Sequence, residues 1–345
     1  SLAIRDFLIL MHTPGEILEQ SLDYIKVILL GFVITVLNNL FMSVLQSLGD
    51  SSTPFWALLV SSVTNIGLDC VFVLTLKWGV QGAAAATVLS QVFSFAICAA
   101  GLKKLKFVSI LDGSKSKNAR LTVRMLKTGL PVGIMSMVTA VGGMILQFFV
   151  NDLGASAVAA YAASTKIRSV IGEFSNALGM TFMTFVGQNY GAQKYDRIKA
   201  GVRMGVLLSI LIHIPLSAVE IFGGKRIASL MVTDPPVLEL CRQYLLIVGI
   251  FVFFLGFLMV FRNCIQGMGN TWIPMLSGGL EVFSRLIFGY WLGRHSFMGI
   301  AAAEASAWIS VSIMLGSSFF VLFRKVLRTQ TPEDTTDTKN IRTDS

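Results

Sequence analysis

Charge is scarce in this chain. Lysine, arginine, aspartate and glutamate make up 14% of its 345 residues, against roughly 25% in soluble domains, so a water-facing globular surface is excluded. Cysteine provides no framework either. Cys70, Cys98, Cys241 and Cys264 lie within or at the ends of apolar runs with no CxxC spacing and read as small buried apolar residues rather than ligands or disulfides. His12, His213 and His295 are scattered one per region, which speaks against a metal centre. No nucleotide loop, nucleophile elbow or zinc-protease motif occurs, so no enzyme is expected. No segment reads as a cleaved signal, and the chain opens at Ser1.

What the chain does have is apolar length. Its mean hydropathy is +0.71 and 54% of its residues are hydrophobic. Nine apolar segments, about 20–47, 54–77, 83–103, 128–150, 157–187, 199–223, 237–265, 273–293 and 299–323, run near the ~20 residues that span a bilayer core. In lipid every backbone group must bond internally, which makes these helices and not strands. The expected fold is an all-α polytopic membrane protein, with a stub of a further helix at 2–11.

Two stretches of the chain repeat. Gln46-Ser-Leu-Gly-Asp-Ser-Ser-Thr-Pro54 returns as Gln266-Gly-Met-Gly-Asn-Thr-Trp-Ile-Pro274, 220 residues on. At the same offset Tyr24 meets Tyr244 and Phe41 meets Phe261, and after a three-residue contraction Gly82-Ala-Ala-Ala-Ala falls on Gly299-Ile-Ala-Ala-Ala. A register kept over about three helices marks a duplicated unit. Helices 20–103 then pair with 237–323, while the three helices of 128–223 find no partners ahead of residue 20. The duplication implies roughly three more helices upstream, about a hundred residues by the repeat period. The complete protein would have two six-helix halves in parallel orientation, with nine of the twelve helices here. The expected organisation is an incomplete first lobe at 1–103, a basic connection at 104–127, a second lobe at 128–325 and a disordered tail at 326–345.

The net charge of +9 is concentrated in connections. Lys103, Lys104, Lys106, Lys115, Lys117, Arg120, Arg124 and Lys127 face a lone Asp112, and Lys194, Arg197, Lys199 and Arg203 fill another connector. The positive-inside rule makes both cytoplasmic, together with Gly49–Pro54, Gly269–Pro274 and the tail, and places Thr233–Glu239 outside. The basic balance reads as topology, and no soluble domain is present to offer a nucleic-acid surface.

Polar side chains inside the bilayer need a reason, because an ionised group at a helix centre costs at least ~2.5 kcal/mol. Ser61, Asn65 and Asp69 recur every four residues and share one stripe of their helix, and Thr87 near the start of the next can add a hydroxyl. Asn65, Asp69 and Thr87 make an oxygen-rich pocket suited to a proton or a small cation; the bland alternative is that Asp69 merely bonds a neighbouring helix. In the second copy the equivalents of Ser61, Asn65 and Asp69 are Glu281, Arg285 and Gly289, so a lone acid has become an i, i+4 ion pair. Arg262 and Glu304 on flanking helices can extend that pair, as a clamp or as substrate contacts. Lys166, Arg168 and Glu173 also lie in apolar sequence, as mutual partners or as charges facing a substrate.

The duplicated half, the Gly49–Pro54 turn, the Asn65-x-x-x-Asp69 stripe, the Gly82-Ala-Ala-Ala-Ala-Thr87 helix start and Phe185-Val-Gly-Gln-Asn-Tyr-Gly-Ala192 together resemble the multidrug and toxic compound extrusion (MATE) transporters of bacterial type. The resemblance covers essentially all of residues 10–325. It implies two six-helix lobes in a V around a central cavity. It also implies efflux of organic cations or other drugs in exchange for protons or sodium, by rocking of a monomer in the plasma membrane, with no cofactor beyond the coupling ion. In that family a first-lobe acidic site uses residues matching Asn65, Asp69 and Thr87 together with an aspartate on the first helix, which this sequence does not contain. Some members carry a cation site of acids on the seventh and tenth helices, but 128–150 and 237–265 have no acid in their membrane interior. A lipid-linked oligosaccharide flippase of the same superfamily is the alternative, suggested by the cationic set Lys166, Arg168, Arg262 and Arg285.

Overall fold

A computed structural model of the chain describes residues 15–104 and 119–328. The stub at 2–11, most of the basic connection and the tail 329–345 lie outside the described residues. Within them all regular structure is helical, as the apolar segments require. Nine long helices follow in order, with a short helical turn Gly224–Ala228 between the sixth and seventh: α1 (Gly15–Ser47), α2 (Ser52–Asp69), α3 (Gly79–Lys104), α4 (Ala119–Asp152), α5 (Ala155–Gly191), α6 (Tyr195–Ala218), α7 (Pro235–Gly267), α8 (Trp272–Phe288) and α9 (Phe297–Arg328). Three of them end in π-helical turns, α2 through Cys70–Thr75, α6 through Val219–Gly223 and α8 through Gly289–Gly293. Seven are long and apolar enough to cross a membrane by length and composition. The others are α5, with Lys166, Arg168 and Glu173 in its interior, and α8, whose α-helical part has 17 residues.

The chain divides into two compact units, 1–116 and 117–345. In the first, α3 packs against both α1 and α2, and the buried core is small: Leu45, Ala57, Cys98 and Leu102, with Phe41, Met42, Val44 and Ile97 around them. Large apolar side chains such as Leu30 and Val63 point outward. In water such a surface would be a liability, and here it is what faces lipid.

In the second unit α7 is the hub, packing on α5, α6 and α9, while α8 packs on α4 and α9. Hydrocarbon gives helices in lipid no hydrophobic reason to associate, so close packing through small residues must do it. A Cβ on Gly267 would lie 2.6 Å from the Met183 carbonyl oxygen, and one on Gly179 would lie 2.4 Å from Asn263 Nδ2, so the α5–α7 crossing needs both glycines. Interhelical hydrogen bonds add to it. Ser217 Oγ donates to the Gly249 carbonyl at 2.7 Å, and Ser312 Oγ to that of Phe254 at 2.6 Å. The cysteines of the described residues are unpaired. Cys98, Cys241 and Cys264 are buried, but Cys70, the first residue of the π turn that follows α2, is exposed, contrary to the sequence reading. His213 sits between Ser175 Oγ, 2.7 Å from Nε2, and the Ser209 carbonyl, 2.7 Å from Nδ1. That is a structural role.

The repeat is visible atom by atom. Gly49 and Gly269 take φ of +89° and +82°, left-handed values that end α1 and α7 and that glycine adopts without steric cost. Asp50 N donates to the Leu45 carbonyl and Asn270 N to that of Ile265. Asp50 Oδ1 then accepts from Thr53 N at 3.0 Å, while Asn270 Oδ1 accepts from Ile273 N at 3.2 Å, so each copy caps the helix that follows. Asp50 also accepts from Thr53 Oγ1 at 2.6 Å, and these bonds to Thr53 hold its carboxyl below the usual carboxylate range. The sign of the pH effect follows. A depressed carboxyl stabilises the fold above its unfolded pKa of roughly 3.9, and that contribution is lost as pH falls through the folded value. Asp50→Ala is expected to cost about 1 kcal/mol, read as a lower melting temperature in detergent at pH 7, with the gap to wild type closing in strong acid. A gap independent of pH would show that the carboxylate is not the cap.

Candidate functional site

Polar groups of the first unit gather where α2 and α3 meet. The stripe on α2 faces α3: Ser61 is buried and its Oγ donates to the Ser90 carbonyl at 3.0 Å. One turn on, Asn65 Nδ2 is buried without a hydrogen-bond partner, and a further turn on so is Asp69 Oδ1. Thr87 is half-buried on α3, with its hydroxyl donated to the Ala83 carbonyl at 2.9 Å on its own helix. The three candidate residues therefore lie on two packed helices, and Thr87 is not bonded to Asp69 in this arrangement. Sequence reasoning missed a second polar contact, in which Asn38 Nδ2 of α1 donates to Gln91 Oε1 of α3 at 2.7 Å while Asn38 Oδ1 stays buried and unpartnered. An amide in the middle of an apolar run was the available signal.

Asp69 is the last α-helical residue before a π turn, and π turns inside helices often accompany functional sites. Its counterpart Gly289 opens the matching turn of α8. The structure explains why that position holds glycine: a Cβ there would lie 2.7 Å from the ring of Phe149. The second unit fills with an aromatic ring the space that the first keeps for a carboxylate.

The charges of the second unit are joined in one network. Glu281 on α8 lies between two arginines, 2.9 Å from Arg285 Nη2 and 3.0 Å from Arg262 Nη2 of α7. Arg285 reaches on to Glu304 of α9 at 3.5 Å, and Glu304 takes Arg168 of α5 at 3.1 Å. Tyr244 OH donates to the other oxygen of Glu304, and the Arg168 guanidinium lies over the Trp308 ring, 5.9 Å from its centroid. On α4, Gly142 leaves room for Arg285, whose Nη1 would lie 2.7 Å from a Cβ there. Tyr244 and Trp308 were not expected at this site, because aromatic residues at helical spacing give no sign of such a role.

Glu281 and Arg285 form the expected i, i+4 pair, and Arg262 and Glu304 extend it, Arg262 sharing the same carboxylate. Arg168, Arg262 and Arg285 do not line a cationic cavity, because each is matched to a glutamate in the interior of the unit; the wide basic cavity that would mark a flippase loses three of its four members. Lys166 and Glu173 are exposed and have no ion-pair partner among the described residues, and Arg168 pairs with Glu304 rather than with Glu173.

Comparison with known proteins agrees with this architecture. The MatE family model matches residues 1–71 and 131–291, well over half of the chain. The probable multidrug resistance protein YoeA of Bacillus subtilis is 28% identical over 323 residues, covering 87% of this chain and 70% of that protein. The probable multidrug resistance protein NorM of Thermotoga maritima is 25% identical over 321 residues, covering 90% and 68%. Among solved structures, a MOP superfamily transporter from Pyrococcus furiosus superposes with a TM-score of 0.87 over 94% of this chain and 74% of its own, at 20% identity, which shows a shared fold. Members of the matched family are transporters and not enzymes. With its duplicated membrane helices and its turn and stripe motifs in place, the chain belongs to the MatE family of membrane transporters.

Proposed function

We propose that this chain belongs to a multidrug efflux antiporter of the plasma membrane. It would export organic cations or related drugs as a monomer, in exchange for protons or sodium, with Asp69 as the coupling carboxylate and Asn65 and Thr87 beside it. The observation that carries this reading is Asp69 itself, an acid within a membrane-spanning segment with one carboxylate oxygen buried and unpartnered. An acid in a membrane span with no basic partner among the described residues is suited to holding a proton or a small cation. The names of YoeA and NorM supply the substrate class. The test is drug export from cells that express the complete coding sequence in a strain stripped of its own exporters. Accumulation of a cationic dye should fall severalfold and recover when the ion gradients are collapsed. Export that persists without any ion gradient would defeat the antiport reading.

Orientation follows from the basic connections. The loops at 103–127 and 194–203 and the C-terminal tail are expected to face the cytoplasm, with Thr233–Glu239 outside. In a background without reactive native cysteine, an impermeant thiol reagent applied to intact cells should label a cysteine placed at Thr233 and spare one placed at Lys115. Labelling at Lys115 would reverse the topology.

A further inference from the structure

Glu220 takes no part in the ion pairs of the second unit. It lies in the π turn Val219–Gly223, inside the membrane span that continues α6. The residue is 1% exposed, and neither carboxylate oxygen has a hydrogen-bond partner among the described residues. Packing holds it there. Ser217 Oγ bonds the Gly249 carbonyl of α7, and the helices approach so closely that a Cβ on Gly249 would lie 3.0 Å from Glu220 Cβ. Around Glu220, Arg168 of α5 and Glu304 of α9 are the charges that act on it. Tyr244 of α7 is bonded to Glu304, and His213 of its own helix is held by Ser175 and the Ser209 carbonyl. In the turn that follows, Lys225 pairs with exposed Glu239, and Arg226 is exposed.

Arg168 has a loose end of its own. Its Nη1 pairs with Glu304 at 3.1 Å, but its Nε is buried and has no acceptor. Among the described residues Arg168 thus carries a donor without an acceptor, and Glu220, on which its charge acts, carries two acceptors without a donor. Each is costly to leave unsatisfied in a dry interior, the ionised carboxylate most of all.

We propose that Glu220 is a proton-binding site of the second unit, and that its occupancy selects the partner of Arg168. With the proton bound, Glu220 is neutral and Arg168 keeps the Glu304 pairing seen here. When the proton leaves for bulk water, the carboxylate left behind draws Arg168 toward α6 and loosens the Arg168–Glu304 bridge to α9. Three arginines then face three carboxylates instead of two. A bound proton moves a conformational equilibrium only through differential affinity for its states, and the alternative partner for Arg168 supplies that difference. The site is separate from Asp69 and stands whether or not Asp69 couples transport.

Infrared and fluorescence titration of the full chain in lipid vesicles tests it. The wild type should show the carbonyl stretch of a protonated carboxyl that is lost on alkaline titration, absent from Glu220→Gln and kept in Asp69→Asn. Trp308 emission should change with the same midpoint, because Arg168 leaves its ring, and Trp308→Phe should remove that change. In Glu220→Gln the emission should be flat. A titrating carboxyl band that survives in the Asp69→Asn, Glu220→Gln double variant as it does in Asp69→Asn alone, or Trp308 emission that titrates in Glu220→Gln as in wild type, overturns the proposal. If Glu220→Gln does not fold, Glu220→Asp carries the same test, with the band displaced from its wild-type position; an undisplaced band overturns the assignment.

Discussion

Glu281→Gln is expected to destabilise the 117–345 unit by about 3–5 kcal/mol, the usual cost of removing one partner from a buried ion pair. The side chains of Glu281 and its two arginines are at most 7% exposed, so neither arginine can turn to water when the carboxylate is lost. The network also ranks the compensating changes. Arg285 keeps a second carboxylate in Glu304 at 3.5 Å, whereas Glu281 is the acid that Arg262 bonds, at 3.0 Å. Adding Arg262→Met to Glu281→Gln should therefore restore most of the lost stability, and adding Arg285→Met should restore much less. Melting temperatures of the three variants in one detergent decide this. Equal rescue by both second changes would mean that the arginines are not partitioned as the distances indicate. Normal folding of Glu281→Gln with loss of transport would move the cluster from scaffold to substrate site.

Asp69→Asn should leave insertion, folding and drug binding close to wild type while abolishing gradient-driven efflux. The amide has the shape of the neutral acid and keeps a carbonyl oxygen for neighbouring donors, but it cannot release a proton or neutralise a cation. An ion drives a conformational change only as far as its affinities for the two states differ, and an asparagine that binds no ion leaves that difference near zero. Asn65→Ala and Thr87→Ala each remove one polar group and no charge, so export should weaken without vanishing. Dye export against a measured ion gradient, with binding followed separately by fluorescence polarisation, separates coupling from affinity. Full gradient-driven export by Asp69→Asn would rule out Asp69 as the coupling group.

Helix number and placement were legible because lipid removes the alternatives: an apolar run of ~20 residues has one way to satisfy its backbone. The repeat was legible for a related reason, since a left-handed glycine followed by a capping Asp or Asn is a local requirement that the sequence states outright. The partners of charged side chains were not. Arg168 is five residues from Glu173 and 136 from Glu304 in the chain, and only the packing of α5 against α7 and of α7 against α9 brings it to the second. Glu220 escaped because it lies toward the end of an apolar segment, where an acid looks like a boundary. The π turn that carries the chain onward keeps it inside.

The π turns of α2 and α8 close the same position in the two copies, and just beyond them the spacing between the copies changes. Gln46 and Gln266 are 220 residues apart, but Gly82 and Gly299 are 217 apart. The turn itself spans six residues in the first copy and five in the second, so part of the contraction falls inside it. A deletion there leaves the helix upstream unrotated, whereas the same deletion within α8 would swing Glu281 by about 100° relative to Arg285. The change of spacing between the duplicates thus falls beyond Glu281 and Arg285, and the bearing of both on α8 is left untouched.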